Sequence, residues 1–125
     1  IISGIILKYL KDVLRYDAAK APFDIVPQYI EKFLYVPFVS KSGYMVKVGG
    51  KFDRVHIKDN IYVVVDYKTG KWSGPVKAAN LKDVFTKPET LKHYNYVLQT
   101  MVYSLALDET LNKESMQKHS VRPEL

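Results

Sequence analysis

Two stretches of the chain carry apolar residues at helical spacing. In residues 5–16 the apolar positions recur every three or four residues, with lysine and arginine on the other faces. Pro22 disfavours helix in the residue before it and so limits this segment. Residues 90–107 carry a second apolar stripe of the same kind. The pattern therefore predicts one helix near each end of the chain.

Between these helices the apolar residues follow the pattern of β-strands. Residues 61–67 are almost continuously apolar and β-branched, which is typical of a strand covered on both faces. The Asp/Asn-containing segment 58–60 predicts a tight turn, so this strand and the one before it should form a hairpin. Further strands are predicted at 29–38, 44–48 and 51–57, and Gly49 and Gly50 separate the last two of these. Another strand is predicted to begin at Ser120.

The order of these elements sets the fold class. A helix, a group of strands and a second helix predict an α/β or α+β core with a mixed sheet. The chain has 125 residues, 47% of them hydrophobic, and this fits a single domain over residues 1–125. It starts without methionine and stops at the entry to a strand, so we expect a fragment of a longer protein.

Charge and cysteine content narrow the function classes. The formal net charge of +6 is compatible with a polyanionic partner such as nucleic acid. The lack of cysteine excludes disulfides and Cys-ligated zinc or iron–sulfur sites within the chain, and it suits a reducing, cytoplasmic setting. The apolar opening segment contains Lys8 and is too short to cross a bilayer, so no membrane partner is expected.

A carboxylate and an ammonium follow the most apolar strand. Side chains alternate across a strand, so Asp66 and Lys68 share one face while Tyr67 lies on the other. Val64 occupies the same face one step earlier, in apolar surroundings where a carboxylate is costly unless a positive group meets it. Lys68 or a divalent cation could supply that positive charge.

A second carboxylate, Asp53, is predicted to face Asp66 across the hairpin. A turn centred between Asp59 and Asn60 makes the two acids directly opposed, with Cβ atoms about 4.5–5.5 Å apart. Two carboxylates that close repel unless one takes a proton or both share a metal ion. Hard oxygen ligands suit Mg²⁺ or Mn²⁺, which activate water for phosphodiester hydrolysis. The residues alone are also compatible with a structural alternative, in which Asp66 and Lys68 form a half-exposed ion pair beside a surface charge cluster.

Three ordered motifs lie on these elements. GGKFDRV contains a glycine, a hydrophobic residue and then Asp53 and Arg54. DYKTG begins at Asp66 directly after the apolar strand, and Gln99 and Tyr103 form a Gln-x-x-x-Tyr pattern on the second helix. Together they resemble the PD-(D/E)XK nuclease superfamily, and within it the RecB-like branch that includes AddB-type nuclease domains.

The resemblance covers about residues 29–107 and implies a fold and a metal site. The implied fold is a restriction-endonuclease-like core, with a central mixed β-sheet flanked by helices. Asp53 and Asp66 would be metal ligands, with the Tyr67 backbone carbonyl as a further ligand. Lys68 would position the attacking water and stabilise developing charge.

The resemblance also implies supporting residues. Gln99 and Tyr103 are four residues apart on a helix, so they share a face. In the family such residues shape the active site and contact DNA, and Arg54 is expected to support the same site. A buried tyrosine with a satisfied hydroxyl beside a helix-face glutamine is the structural alternative for this pair.

The implied function is a Mg²⁺- or Mn²⁺-dependent DNA nuclease from a helicase–nuclease or recombination-repair system, with exonuclease action as the family-based expectation. DNA is the implied substrate, and helicase domains or subunits of the same system are the implied partners. Two alternatives belong to other classes. One is a non-catalytic nucleic-acid-binding or scaffolding module that retains the fold, and the other is an interaction domain with a chance Asp-x-Lys pattern.

The chain departs from the branch in two ways. Members usually complete the metal site with an acidic residue or histidine from a preceding helix, and Glu31 is the best candidate for an early acidic contribution here. Some relatives add a Cys-ligated iron–sulfur cluster, for which this chain supplies no ligand. His56 falls on the opposite face from Asp53 and is interpreted as structural.

The long connection at residues 69–89 is basic and contains the only tryptophan. Trp72, with Lys71 and Lys77, could stack on or grip a nucleic-acid strand beside the site. An ordinary surface loop is the simpler interpretation of the same residues.

Overall fold

The computed structural model describes residues 2–68, 88–113 and 118–124, with residues 88–94 described by their backbone alone. A single 3-10 turn at Pro27–Tyr29 follows the first short strand. The elements are helix α1 (Ile2–Lys20), strands β1 (Asp24–Ile25), β2 (Lys32–Val39), β3 (Met45–Phe52), β4 (Arg54–Lys58) and β5 (Ile61–Val65), helix α2 (Pro88–Lys113) and strand β6 (Ser120–Glu124).

Four of the strands form one mixed sheet in the order β1-β4-β5-β6. Strand β5 runs antiparallel to β4 and parallel to β6, so it is paired on both edges. Strands β2 and β3 form a separate antiparallel hairpin. The mixed α/β architecture expected from the element order is confirmed, and it is consistent with a restriction-endonuclease-like core.

Strand β3 runs without a break through the two glycines, where the sequence pattern predicted an interruption. Gly49 has a φ of 151°, and a Cβ on it would lie 1.9 Å from the backbone carbonyl oxygen of Leu34 on β2. The glycine is thus required by the close approach of the two strands and does not end the strand. The chain bends instead at Asp53, between β3 and β4.

Two other strand limits differ from the sequence prediction. Strand β2 begins at Lys32 because the 3-10 turn precedes it and Glu31 adopts a left-handed conformation with φ 51°. The β5 ladder ends at Val65, and the next residue, Asp66, donates its backbone N–H to the Glu124 carbonyl at 3.3 Å.

Helix α2 covers one face of the sheet. Val55 of β4 and Val64 of β5 are fully buried against it. Because side chains alternate, Asp53 and Asp66 lie two residues further along that same face. The core cluster on this side consists of Phe52, Val55, Val64, Tyr103, Ala106 and Leu107.

Helix α1 lies on the opposite face and is attached by polar contacts. None of its residues is buried. The Arg54 guanidinium donates two hydrogen bonds to Asp17, at 2.6 and 2.9 Å. Lys20 and Tyr16 both contact the Glu124 carboxylate on β6. Ion pairs near its C-terminal end, and not an apolar seam, therefore hold α1 to the sheet.

The Asp17–Arg54 pair predicts a specific pH dependence of stability. Hydrogen bonding to Arg54 holds the pKa of Asp17 below its ordinary value. This contribution is fully present above the unfolded pKa and is lost as the pH falls through the lower folded pKa. We expect Asp17→Asn to reduce the free energy of unfolding by about 2 kcal/mol at neutral pH, because Arg54 stays buried without its counter-charge.

Urea unfolding at about pH 7 and about pH 3 measures the stability loss caused by Asp17→Asn and its pH dependence. This loss should be smaller at the lower pH, because there the Asp17 carboxyl of the unmodified chain becomes protonated. Asp12→Asn is the matched control. It breaks the exposed Asp12–Arg15 pair of the same helix, at 3.5 Å, and should change stability by less than about 0.5 kcal/mol. Equal losses in the two variants would contradict the prediction.

No helix in the described part of the chain has the length and apolar character needed to span a membrane.

Candidate active site

Asp53 and Asp66 lie side by side at the open end of the β4–β5 hairpin, away from its turn. The antiparallel ladder pairs Arg54 with Val65, so the two acids occupy the next opposed positions. The predicted hairpin register is confirmed. The Tyr67 backbone N–H donates to Asp53 Oδ2 at 2.8 Å, which holds this carboxyl against the 66–68 segment.

The electrostatics of the acid pair reflect burial and proximity. Asp66 is only 5% exposed. Burial raises the pKa of the Asp53 carboxyl, and the neighbouring Asp66 carboxylate adds to the rise, while the hydrogen bond from Tyr67 opposes it. A buried carboxyl next to a second carboxyl favours a positive charge nearby.

The Oδ2 oxygen of Asp66 is the part of this pair that meets Lys68. Within the described ranges, no hydrogen bond reaches the buried Asp66 Oδ2. The Lys68 ammonium contacts this oxygen closely enough to form an ion pair, but without the angles of a hydrogen bond. An acceptor oxygen of this kind beside a second carboxylate fits a divalent cation. Among the residues described, no third Asp, Glu or His joins the pair to complete a metal-binding cluster.

Helix α2 holds Lys68 through a short hydrogen-bond chain. Lys68 Nζ donates to Gln99 Oε1 at 2.7 Å, and Gln99 Nε2 donates to the Tyr103 hydroxyl at 2.8 Å. The ammonium also lies 4.8 Å from the centre of the Tyr96 ring. The second and third sequence motifs therefore meet at the ammonium group.

The Tyr103 ring, in turn, is located by the core and by a glycine. It packs against Phe52 with ring centres 5.3 Å apart. A Cβ on Gly50 would lie 2.4 Å from the ring, so only glycine leaves room for it there. Gly50 belongs to a sequence motif, but the sequence does not show the physical reason for it, because that reason is a contact with a distant helix.

Glu31 lies close to the acid pair, but Lys51 engages its side chain. Its backbone N–H donates to the Asp53 carbonyl at 3.1 Å. Its carboxylate pairs with Lys51 and is 60% exposed. An accessory role in metal binding stays a prediction.

Arg54 lies on the α1 face of the sheet, away from the acid pair. Besides its bond to Asp17, its guanidinium lies 5.3 Å from the Phe23 ring centre and 5.6 Å from that of Tyr67. His56 is 2% exposed on the same face, 4.5 Å from Phe23, and burial lowers its pKa. These contacts match the structural interpretation of His56 and give Arg54 a structural environment too.

Some predicted residues fall outside the described part of the chain. They are Thr69 and Gly70 of the DYKTG motif, and Lys71, Trp72 and Lys77 of the long connection.

One acidic residue near the site was missed by sequence reasoning. Asp12 of α1 lines a cavity of about 260 Å³ together with Asp66, Tyr67 and Lys68. Its spacing from Arg15 indicates an ordinary surface pair along the helix. Only the packing of α1 beside the end of β5 places it near the candidate site, so no local signal identifies it.

Comparisons with known proteins give one match. A family model described as the PD-(D/E)XK nuclease superfamily matches residues 3–124, which is nearly the whole chain. No curated protein and no solved structure matches it. The matched segment includes both carboxylates, the lysine and the Gln-x-x-x-Tyr pair.

Proposed function

The chain belongs to the PD-(D/E)XK nuclease superfamily, and from this premise we propose that it is a metal-dependent DNA nuclease with its active site at Asp53, Asp66 and Lys68. The observation that carries the proposal is the buried Asp66 Oδ2, which accepts no well-formed hydrogen bond from the described residues and lies beside a second carboxyl and the anchored Lys68 ammonium. Mg²⁺ or Mn²⁺ is the expected cation.

The proposed branch of the superfamily and the proposed type of nuclease depend on the motif resemblance. We propose a RecB-like domain of a helicase–nuclease or recombination-repair system, acting as an exonuclease on DNA. Helicase domains or subunits of that system are the proposed partners, and the proposed location is the cytoplasm.

Each residue of the proposed site has a separate role. Asp53 and Asp66 would hold the cation, with the Tyr67 carbonyl as the candidate further ligand. Bound there, a divalent cation lowers the pKa of a water molecule and polarises the phosphoryl oxygen.

Lys68 supplies the fixed positive charge next to this position. Its hydrogen bond to Gln99 restrains the flexible side chain, so the ammonium is oriented before substrate arrives. Gln99 is itself fixed by the buried Tyr103 hydroxyl. The ammonium can therefore orient the attacking water and stabilise the charge that develops on phosphorus-bound oxygens during in-line displacement.

A non-catalytic DNA-binding or scaffolding module is the second candidate function. The observation that favours it is that no third acidic or histidine ligand joins Asp53 and Asp66 within the described residues. Such a module would bind DNA without cleaving it.

Metal binding and cleavage together test the proposal. Calorimetric titration with Mn²⁺ should show at least about tenfold weaker binding in Asp53→Ala and in Asp66→Ala, because each removes a direct ligand. Asp24→Ala, an exposed acid on β1, is the matched control and should bind as the unmodified chain does.

Incubation of linear and circular DNA with Mg²⁺ then separates the activities. Loss of linear DNA alone indicates an exonuclease, and nicking of circles indicates an endonuclease. Metal and DNA binding without any cleavage would favour the non-catalytic module. Unchanged Mn²⁺ affinity in both aspartate variants would rule out the metal site.

A further inference from the structure

The outward face of the β2–β3 hairpin carries two exposed, nearly parallel aromatic rings. Leu34 and Val36 of β2 pack against the core, so the alternate residues Phe33 and Tyr35 lie on the outer face. Phe33 is 61% exposed and Tyr35 is 53% exposed. Their ring centres are 6.3 Å apart, with planes 12° from parallel. Two large apolar side chains in water at one place point to a surface that meets a ligand.

The opposing strand surrounds these rings with positive charge and open space. The register places Lys51 opposite Phe33, Gly49 opposite Tyr35 and Lys47 opposite Pro37. Because glycine has no side chain, the cross-strand position next to Tyr35 is empty of side-chain atoms. The Lys51 ammonium lies 6.0 Å from the centre of the Phe33 ring and pairs with Glu31 at the edge of the hairpin.

The charge of the hairpin has a single sign. Residues 32–52 contain no aspartate and no glutamate, and their lysines are Lys32, Lys41, Lys47 and Lys51. A protein partner that covers apolar rings does not require this bias, whereas a phosphate backbone does. The combination of stacked rings and lysines favours nucleic acid over a protein surface.

The aromatic and basic side chains on this face of the hairpin lead to the acid pair. Lys51 precedes Asp53 by two residues, and the backbone of Glu31, next to β2, is hydrogen-bonded to Asp53 at 3.1 Å. A strand lying over Tyr35 and then Phe33 therefore runs toward the carboxylates.

We propose that the hairpin row, formed by Phe33, Tyr35, Lys47 and Lys51, binds single-stranded DNA and directs it to the candidate active site. This inference rests on the proposed function in taking DNA as the substrate. Bases stack on aromatic side chains only where their faces are free, as in a single strand, and the faces inside a duplex are already stacked. The row selects unpaired DNA for that reason.

Fluorescence anisotropy without divalent metal tests this independently of cleavage. A labelled thymidine oligonucleotide should bind more tightly than a blunt duplex of the same length. Phe33→Ala and Tyr35→Ala should each weaken single-strand binding at least about fivefold, with little change for the duplex. Tyr44→Ala, which removes a 74% exposed tyrosine of the same hairpin outside the row, should leave the affinity unchanged.

Salt dependence gives a second, milder probe. Lys47→Gln should reduce the slope of log affinity against log salt by about 0.7 for single strands, because one phosphate contact is lost. Lys113→Gln, at the exposed end of α2, should leave the slope unchanged.

Four results would overturn the inference: no preference for the single strand, unchanged affinity in both ring variants, an equal loss in Tyr44→Ala, or tighter binding of the corresponding RNA. The two proposals fail separately. If the ring variants bind DNA more weakly but the chain never cleaves DNA, DNA binding by the hairpin row is supported and the nuclease proposal fails. If the chain cleaves DNA and the ring variants bind it unchanged, the nuclease proposal stands and the hairpin row fails.

Discussion

Replacing Lys68 by alanine is expected to slow DNA cleavage by about 10²–10³-fold at saturating Mg²⁺. The Lys68 ammonium is the fixed positive group beside the acid pair, and Gln99 anchors it at 2.7 Å. Mn²⁺ binding should be retained or strengthened, because the variant removes a cation that competes for Asp66 Oδ2. Single-turnover cleavage assays and Mn²⁺ calorimetry on the same preparation measure both quantities.

Comparison with Asp66→Ala distinguishes the loss of cleavage alone from the loss of metal binding. That variant should lose metal binding and cleavage together, whereas Lys68→Ala should lose cleavage alone. The cleavage rate of Gln99→Ala should lie between those of Lys68→Ala and the unmodified chain, because this variant releases the ammonium without removing it. A Lys68→Ala chain that lost Mn²⁺ binding as fully as Asp66→Ala would show that the lysine maintains the site structure and does not act in the reaction.

Gly50→Ala is expected to lower the free energy of unfolding by about 2–3 kcal/mol and to slow cleavage as well. The new methyl group would lie 2.4 Å from the Tyr103 ring, which is buried and packed against Phe52, so the ring has to move. Movement of the ring displaces its hydroxyl, and with it the Gln99 amide that orients Lys68. Urea denaturation and single-turnover rates are the measurements.

A double variant separates the two consequences. Gly50→Ala combined with Tyr103→Leu removes the clash, so it should be more stable than the sum of the single changes allows, but it should not regain the cleavage rate. Gly4→Ala is the glycine control. A Cβ at this position in α1 meets nothing within 4 Å, and alanine favours helix, so stability should stay equal or rise. Full stability and activity of Gly50→Ala would contradict the positioning of Tyr103 described above.

The arrangement of the acid pair could be predicted from the sequence because it depends on local chemistry. The Asp59–Asn60 turn sets the hairpin register, and both residues adopt the positive φ that such turns need, 51° and 62°. Once the register is set, the alternation of side chains places Asp53 and Asp66 on one face. The functional roles of the two acids are a separate matter and remain predictions.

The glycines of β3 show where local reasoning fails. Glycine weakens a strand in isolation, so the sequence pattern predicted a break at Gly49 and Gly50. The structure uses them for close contact, with the Leu34 backbone in one case and the Tyr103 ring in the other. Both contacts join segments far apart in the sequence, and no local pattern reports them.

The leading helix was predicted from its apolar spacing, but its mode of attachment was not. Apolar periodicity predicts a buried stripe, yet no α1 residue is buried. The attachment depends on pairs such as Asp17–Arg54 and Lys20–Glu124, whose partners belong to different elements. Arg54 illustrates the same limit, since its motif indicated a role beside Asp53 and its guanidinium is engaged on the other face.

The parallel pairing of β6 with β5 has a consequence for biosynthesis. A nascent polypeptide that has emerged as far as Lys68 already contains both carboxylates, but it lacks the strand that supplies the Glu124 carbonyl and the helix that supplies Gln99. Bringing segments this far apart in the sequence together carries an entropic cost, which the contacts made by α2 and β6 offset. The hydrogen bonds of Asp66 to Glu124 and of Lys68 to Gln99 can therefore both be present only after translation has passed Glu124.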